Sequence, residues 1–350
     1  MLRIGLFGAR CDNGGLSNQS KEFYDHMKPA KTLLVYGVTN RKDHFERFPG
    51  AMTETMPIPN ETIDMFLKGL DVVFTIEVPY NYYLFKRAKE LGVKTVMQYN
   101  YEFLYYFADP SLPYPDLLLA PSKWHIKEVT DAFGEATKVS YMPVPVNRKV
   151  LPFKQKSKAR TFVHIAGPVL HEDRNGTNIV LDSLKFIKDK IKVIIYTQHE
   201  ITREIVTGKN VKLDIRYGDV ENYWDMYQEG DVLLLPRRYG GLSLQLNEAM
   251  SAGFIPIMPN CGPQNTFLNP FMLSFVSNSH ELKLTPSEKI ISYEVEPRSL
   301  AYHMQILRGM NKSEIEKLSQ YSNLYATLIS WDNLRKKYAK ILHDLVRGKS

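Results

Sequence analysis

Cysteine is scarce in this sequence, which has only Cys11 and Cys261 among 350 residues. Two thiols so far apart in sequence form neither a disulfide framework nor a cysteine metal cluster by themselves, which is typical of a reducing compartment. No apolar run approaches the roughly 20 residues that span a bilayer, and residues 1–9 (MLRIGLFGA) lack the pattern of a secretory signal. We therefore expect a cytoplasmic protein without a transmembrane segment, and peripheral membrane contact stays open.

Several common ligand motifs are also lacking. Residues 8–20 (GARCDNGGLSNQS) form a glycine-containing loop, but no G-K-[ST] follows and the G-x-G-x-x-G spacing does not fit. This excludes a P-loop and the usual dinucleotide fingerprint. No D-x-D pair stands at a suitable strand end, so we expect no required metal. No internal repeat or low-complexity tract is present, which argues against a repeat architecture.

The composition is that of a globular protein, with 44% apolar and 24% charged residues. Lysine and arginine exceed the acidic residues by seven. Such an excess favours an anionic partner, namely a nucleotide, a nucleic acid or an acidic lipid. A solvated basic surface explains it equally well, and both interpretations stay open here.

Short apolar runs alternate with segments of helical period along the whole chain, which is typical of parallel α/β architecture. Residues 117–120 and 191–197 are among the predicted strands, and residues 176–188 and 221–228 are among the predicted helices. The alternation stops at residues 143–160, where prolines mix with basic residues, and then starts again. This predicts two Rossmann-like domains facing across a cleft. We expect one domain over 1–147, a second over 148–320, and a C-terminal helix over 321–350 that packs on the first domain or stands as a plain packing helix.

The densest motif is residues 235–262, LPRRYGGLSLQLNEAMSAGFIPIMPNCG. An apolar strand ends at Leu235, and a glycine-rich turn leads into a helix that begins near Ser243. Glycine lets the backbone approach a ligand, and a helix N-terminus offers N–H groups to an anion. Glu248 on this helix either accepts hydrogen bonds from vicinal sugar hydroxyls or faces solvent in an ordinary αβ unit.

This segment resembles the donor-binding signature of retaining glycosyltransferases of the GT-B fold. Glu248 falls on the glutamate that binds the ribose in that family, and Gly240 falls where the family has a glutamate that contacts the donor sugar. Tyr239 or Arg238 then fills that role. The resemblance implies a donor site formed by these residues and their neighbours in the turn: Arg237, Arg238, Tyr239, Gly240, Gly241, Leu242, Ser243, Leu244 and Glu248.

Three further segments match the family in order. Residues 120–124 (APSKW) and 142–147 resemble the end of the first domain, so the resemblance implies an acceptor-side domain over 1–147 and a domain that binds the nucleotide sugar over 148–320. Residues 162–176 resemble the first strand and phosphate loop of the nucleotide domain, which implies that Arg174 binds the diphosphate. The family's preceding arginine is replaced by Pro168, and Arg237 is the candidate to compensate. In the first domain, Gly14 and Gly15 resemble the glycine pair of the loop near donor phosphate and acceptor.

A catalytic carboxylate is harder to assign. Glu102 follows the fourth strand, in a region where many relatives have a histidine, and is a candidate base for the acceptor or a structural carboxylate. Asp12 is the other candidate, with an Asx turn that holds its loop as the alternative. The aromatic run from Tyr99 to Phe107 suits either stacking on a nucleic-acid base or packing in the core.

The resemblance as a whole implies a retaining, metal-independent glycosyltransferase that uses a UDP- or GDP-sugar and a hydroxyl acceptor. Similarity to phage-encoded members includes hydroxymethylated DNA among the acceptors, beside a cell-surface or lipid-linked glycan. The alternative is a non-catalytic module that binds a nucleotide sugar on the same scaffold, because fold alone does not establish activity.

Overall fold

A computed structural model describes residues 2–12, 14–36, 45–103, 109–167, 173–267, 273–274, 276–283 and 289–348. Contacts within the chain divide it into two compact units. The first unit combines residues 1–144 with 331–350, and the second contains residues 145–330. Among the described residues, no helix has both the length and the apolar character needed to cross a membrane.

The first unit is built on one parallel sheet. Its strands in chain order are β1 (Ile4–Arg10), β2 (Lys31–Tyr36), β3 (Met52–Thr55), β4 (Val72–Ile76), β5 (Lys94–Gln98), β6 (Leu117–Ala120) and β7 (Lys138–Tyr141). They are arranged in the order β3-β2-β1-β4-β5-β6-β7. All five residues of β4 are buried, which requires cover on both faces of the sheet and explains the continuous apolar run VVFTI.

The helices of the first unit are those expected between its strands, together with one from the end of the chain. They are α1 (Gly15–Met27), α2 (Asn60–Leu67), α3 (Tyr83–Glu90), α4 (Ile126–Phe133) and α9 (Trp331–Val346). Tyr338 of α9 is buried, and its ring lies 6.2 Å from the rings of both Phe23 and Phe74. The Gln98 side chain donates to the Tyr338 hydroxyl at 3.2 Å. Aromatic burial of this kind holds α9 on the first sheet.

The second unit repeats the plan. Its strands are β8 (Thr161–Gly167), β9 (Ile191–Thr197), β10 (Val211–Tyr217), β11 (Val232–Leu234), β12 (Ile255–Pro259), β13 (Leu273–Ser274) and the antiparallel pair β14 (Val276–Lys283) and β15 (Lys289–Val295). Its helices are α5 (Thr177–Ser183), α6 (Leu244–Ser251), α7 (Pro297–Gly309) and α8 (Lys312–Leu328). The larger sheet has the order β10-β9-β8-β11-β12-β13.

Each sheet reverses its strand order at one place. In the first unit the chain runs outward from β1 to β2 and β3, and then continues on the other side of β1 with β4. In the second unit the same reversal separates β8 from β11. Loops that leave two such neighbouring strands go in opposite directions and open a crevice at the carboxyl ends of the strands, where α/β proteins bind ligands.

Most of the expected elements are present, and two differ. The strands predicted at 117–120 and 191–197 have the observed bounds. The helix expected over 221–228 is only a five-residue 3₁₀ helix, Tyr223–Tyr227, which begins with a capping box between Asn222 and Asp225. The helix expected over 176–188 ends early, with Ser183, and continues as a 3₁₀ turn through Phe186.

His164 on β8 connects three elements of the second unit. Its imidazole is fully buried, with Nδ1 3.0 Å from the carbonyl oxygen of Leu234 and Nε2 2.9 Å from the hydroxyl of Thr177. A neutral ring satisfies both contacts, with one nitrogen donating and the other accepting. Burial lowers the pKa of His164 to about 4, and the bond to Leu234 opposes this shift.

The stability of the chain should therefore fall in acid through His164. Its pKa is lower in the folded protein than the ordinary 6.5, so its contribution is complete above pH 6.5 and is lost as the pH falls towards 4. The shift of the pKa from 6.5 to about 4 corresponds to about 3 kcal/mol of the free energy of unfolding. Thermal unfolding of the wild type and of His164→Gln at pH 7 and pH 4 measures it. The wild type should lose more stability than the variant, and equal losses would contradict this assignment.

Candidate functional site

Two loops meet at the reversal point of the second sheet. Residues 173–176 precede α5, and residues 236–243 lie between β11 and α6. The Arg238 amide donates to the Arg174 carbonyl at 2.9 Å, which joins the loops directly. Gly176 has φ +74°, and a Cβ there would lie 2.3 Å from the Pro236 carbonyl oxygen. Glycine is required at this point because the two backbones are in contact.

Two arginine side chains converge in this crevice over Gly240. Arg174 and Arg237 both donate from Nε to the Tyr239 carbonyl, at 3.4 and 3.0 Å. A Cβ on Gly240 would lie 2.2 Å from Nη2 of Arg174 and 2.7 Å from Nη2 of Arg237, so these two nitrogens are within about 5 Å of each other. Convergence of two like charges is unfavourable in itself and favours a bound anion, to which guanidinium groups donate paired hydrogen bonds.

Neutral groups complete this side of the crevice. Ser243 precedes the first residue of α6, and its hydroxyl is buried without a hydrogen-bond partner among the described residues. The side-chain carbonyl oxygen of Gln245 is in the same condition. Buried polar atoms are normally satisfied. Together with the N–H groups that begin a helix, these atoms suit a polar ligand at the N-terminus of α6.

Glu248 lies one turn further along α6, and a buried tyrosine orients its carboxylate. The Tyr227 hydroxyl donates to Oε2 of Glu248 at 2.6 Å, and Tyr227 is 2% exposed. Burial and the adjacent Glu248 carboxylate both raise the pKa of Tyr227 well above 10, so the hydroxyl stays a donor. Nothing in the sequence pattern singles out Tyr227, since a tyrosine before a strand resembles an ordinary core residue.

The other predicted donor residues have varied surroundings. Arg238 donates from Nε to the Tyr293 carbonyl at 3.2 Å, towards β15. Tyr239 is buried, and its ring lies 5.5 Å from the Arg174 guanidinium. Gly241 is buried, while Leu242 and Leu244 are half-buried. Pro168, which replaces the family's first arginine, lies outside the described residues. The prediction that Arg237 supplies the missing positive charge is therefore judged from the position of Arg237 beside Gly240.

A cavity of about 590 Å³ adjoins Arg174 on the other side, towards β9. Asp173, Arg174 and Asn178 line one wall, and residues 199–203 line the other. Asp173 accepts from the amides of Thr177 and Asn178, at 2.9 and 2.7 Å, and so caps α5. The Asp173 carboxylate therefore occupies the N-terminus of α5. The N-terminus of α6 is the more open anion site of the two.

The glycine loop of the first unit begins α1. Gly14 precedes the helix and Gly15 is its first residue, and both are exposed. Asp12 accepts from the Gly14 amide at 2.8 Å, which is an Asx turn, and from Nε of Arg10 at 2.9 Å. Asp12 thus holds its own loop in an Asx turn, which was the alternative to a catalytic role. The catalytic role of Asp12 stays a prediction.

Glu102 and the aromatic run follow β5. Glu102 lies on a 3₁₀ turn, Tyr101–Phe103, and is 7% exposed. Tyr99 is buried at 1% exposure, and the Tyr101 ring stacks on His125 at 4.4 Å. Residues 104–108 lie outside the described part of the chain. The burial of Tyr99 agrees with packing in the core, which was one of the two expectations for the aromatic run, and not with stacking of this residue on a base.

Within the described ranges, no three histidine, cysteine, aspartate or glutamate side chains come together as a group that could hold a metal ion.

Gly240→Ala should displace the two guanidinium groups without unfolding the protein. The added Cβ meets the flexible ends of Arg174 and Arg237, so the side chains move and the backbone need not. We expect the affinity for inorganic pyrophosphate, measured by calorimetry, to fall about tenfold or more, as expected when a charge-assisted hydrogen bond is lost.

Gly218→Ala is the matched control. Gly218 has φ +93°, close to the +102° of Gly240, but a Cβ there would meet nothing within 4 Å. Both variants therefore carry a similar backbone cost, and only one crowds the arginines. Equal loss of pyrophosphate binding in the two variants would show that backbone strain, and not displacement of the arginines, is responsible.

Comparisons with known proteins show the fold. No protein-family model matches the chain, and no curated protein matches its sequence. The HepE protein of Anabaena, solved in complex with UDP and glucose, superposes with a TM-score of 0.72 and 10% identity, over 98% of this chain and 100% of that one.

Two other solved structures cover the chain as fully. Sucrose-phosphate synthase from Thermosynechococcus elongatus gives a TM-score of 0.70 at 13% identity, over 99% and 100% of the two chains. The lipopolysaccharide outer core galactosyltransferase WaaB gives 0.64 at 16% identity, over the whole of both. The α/β fold class with two parallel sheets predicted from the sequence is thereby confirmed, and the fold of this chain is GT-B.

Proposed function

We propose that this protein is a glycosyltransferase that takes a sugar from a nucleoside diphosphate sugar and moves it to a hydroxyl acceptor. The observation that carries the proposal is the convergence of Arg174 and Arg237 over Gly240, beside the N-terminus of α6. A diphosphate carries the charge and the oxygen acceptors that such a pair binds. The shared fold of HepE, whose structure contains UDP and glucose, supports this choice.

The chemistry assigned to the arginines is stabilisation of the leaving group. In the transfer, the bond between the anomeric carbon and the diphosphate oxygen breaks, and its electron pair stays on the diphosphate. The acceptor oxygen approaches on the face of the departing diphosphate, forms the new bond to the anomeric carbon, and gives its proton to the diphosphate oxygen that leaves. Negative charge grows on the diphosphate as this happens, so fixed guanidinium groups lower the barrier more than they strengthen ground-state binding.

Glu248 is the residue we assign to the ribose. A carboxylate oxygen accepts hydrogen bonds from vicinal hydroxyls, as acidic residues do in other nucleotide folds. Tyr227 is a positioning residue, because its hydroxyl holds one oxygen of the carboxylate at 2.6 Å. The nucleotide would then extend along α6, from the arginines to Glu248.

Two finer parts of the proposal concern the stereochemistry of the transfer and its metal requirement. Retention of configuration at the anomeric carbon follows from the family signature around Glu248. Metal independence rests on the two positive charges at Gly240, which can take the place of a divalent cation on the diphosphate. Of the two nucleotides expected, UDP is the first to test, because the HepE structures contain it.

The acceptor is proposed as a carbohydrate hydroxyl. The names of sucrose-phosphate synthase and of the lipopolysaccharide galactosyltransferase support this class. Tyr99, the first residue of the segment expected to stack on a DNA base, is buried in the core, so carbohydrate acceptors are tested before hydroxymethylated DNA. A binding module without turnover is the second outcome that the assay below distinguishes.

Release of UDP from UDP-glucose, UDP-galactose and UDP-N-acetylglucosamine tests the transferase. The wild type should release UDP from at least one of them in the presence of sugar acceptors and EDTA. Arg174→Ala should lower kcat by more than it raises KM for the donor, because its charge acts mainly in the transition state. UDP binding without release from any donor would identify a binding module.

Glu248→Gln tests the ribose assignment. The amide keeps the size of the side chain but removes the charge, and UDP affinity should fall about tenfold or more. Glu135→Gln makes the same change at an exposed position of the first unit and should bind UDP as the wild type does. Calorimetry that finds equal UDP affinity for both variants would remove Glu248 from the site.

A further inference from the structure

The first unit has a strained turn at its own reversal point, directly after β4. Glu77 has φ +69°, a region that side chains other than glycine rarely adopt. The Val78 amide donates to the Ile76 carbonyl at 2.9 Å, across one residue. A three-residue turn with this bond and a positive central φ is a classic γ-turn, which is rare and strained.

The surrounding structure holds this turn from both sides. The Glu77 amide donates to the Gln98 carbonyl on β5 at 2.7 Å, and the Thr75 hydroxyl donates to the Val78 carbonyl at 3.1 Å. A strained conformation persists only where its neighbours determine it, and such residues cluster at ligand sites. Glu77 thus has a backbone conformation that is unfavourable for glutamate and that glycine would adopt without strain.

The turn presents the Glu77 carboxylate at the carboxyl end of the sheet. The side chain is half-buried, and Asn100, at the end of β5, donates from Nδ2 to Oε1 at 2.9 Å. Glu77 and Asn100 thus follow the neighbouring strands β4 and β5. The Asp12–Gly14 loop follows β1 on the other side of β4.

Tyr80 connects the same turn to that loop. It has φ +57°, and a Cβ on Gly8 would lie 2.9 Å from its ring. Its hydroxyl is hydrogen bonded to Arg10, which also donates to Asp12. Arg10 is thus tied to Tyr80 and Asp12, and the Asp12 carboxylate is engaged by Arg10 and by the Gly14 amide.

We propose that Glu77 and Asn100 form a hydroxyl-binding pair that holds the carbohydrate acceptor. The carboxylate accepts hydrogen bonds from vicinal hydroxyls, and the neighbouring amide NH₂ donates to them. This is the chemistry that recognises a sugar. The proposal rests on the function proposed above and deepens it, since it places the acceptor on the first unit. It assigns the role to Glu77 and not to Glu102, which is buried at 7% exposure.

Saturation-transfer NMR on the full chain, without nucleotide, tests the pair. The three probes are methyl α-D-glucopyranoside, methyl β-D-galactopyranoside and glycerol. The wild type should give a signal with at least one of these probes. Glu77→Gln keeps the shape of the side chain but loses its charge, and Glu77→Gly relieves the positive φ and removes the carboxylate. Both should weaken the signal about tenfold.

The melting temperature separates a ligand role from a structural one. Glu77→Gly should melt at or above the wild-type temperature while it loses probe binding, whereas a merely structural glutamate would lose both together. Lys28→Gly relieves the φ of +49° at the end of α1 and should keep full probe binding. Glu77→Asp, which keeps the charge, should recover part of it.

Two results would overturn the pair: no signal from any probe with the wild type, or wild-type signals from both Glu77→Gln and Glu77→Gly. Calorimetry with UDP reports separately on the donor site, because the Glu77 variants should bind UDP as the wild type does. A wild type that does not bind UDP contradicts the proposed donor site, while the sugar signals still decide the role of Glu77.

Discussion

The reversal of strand order in each sheet is the constraint on which the rest of the structure depends. Parallel strands place all their carboxyl ends at one edge, and the reversal opens a crevice there, between β1 and β4 and between β8 and β11. Arg174 follows β8, Arg237 and Glu248 follow β11, and Glu77 follows β4. The continuous apolar strands fix the crevices, and the loops determine the chemistry.

The two crevices differ in charge. The second unit brings Arg174 and Arg237 together over a residue that has no side chain, Gly240, which suits a diphosphate. The first unit presents Glu77 beside Asn100, which suits hydroxyl groups. One fold repeated twice therefore supplies an anion site and a hydroxyl site, and the assignment of donor and acceptor follows from these charges.

The sequence predicts the fold well and the sites only in part. The period of the apolar runs is enough to place strands such as 117–120, and the signature around Glu248 directs attention to the turn at which Arg174 and Arg237 converge. Tyr227 and Glu77 were missed for a physical reason. A hydrogen bond to a distant carboxylate and a positive φ at a glutamate are set by tertiary contacts, and neither leaves a pattern in the neighbouring residues. The helix expected over 221–228 is instead a short 3₁₀ helix over Tyr223–Tyr227.

The central claim is that the reversal point of the second sheet binds the nucleoside diphosphate. Hydrogen exchange of the backbone amides, followed by mass spectrometry with and without UDP, tests it most directly. The account predicts that UDP slows exchange in residues 173–178 and 236–248, which carry the arginines, the N-terminus of α6 and Glu248. Slowed exchange confined to residues 197–203 on the far wall of the neighbouring cavity, or no slowing anywhere, would contradict it.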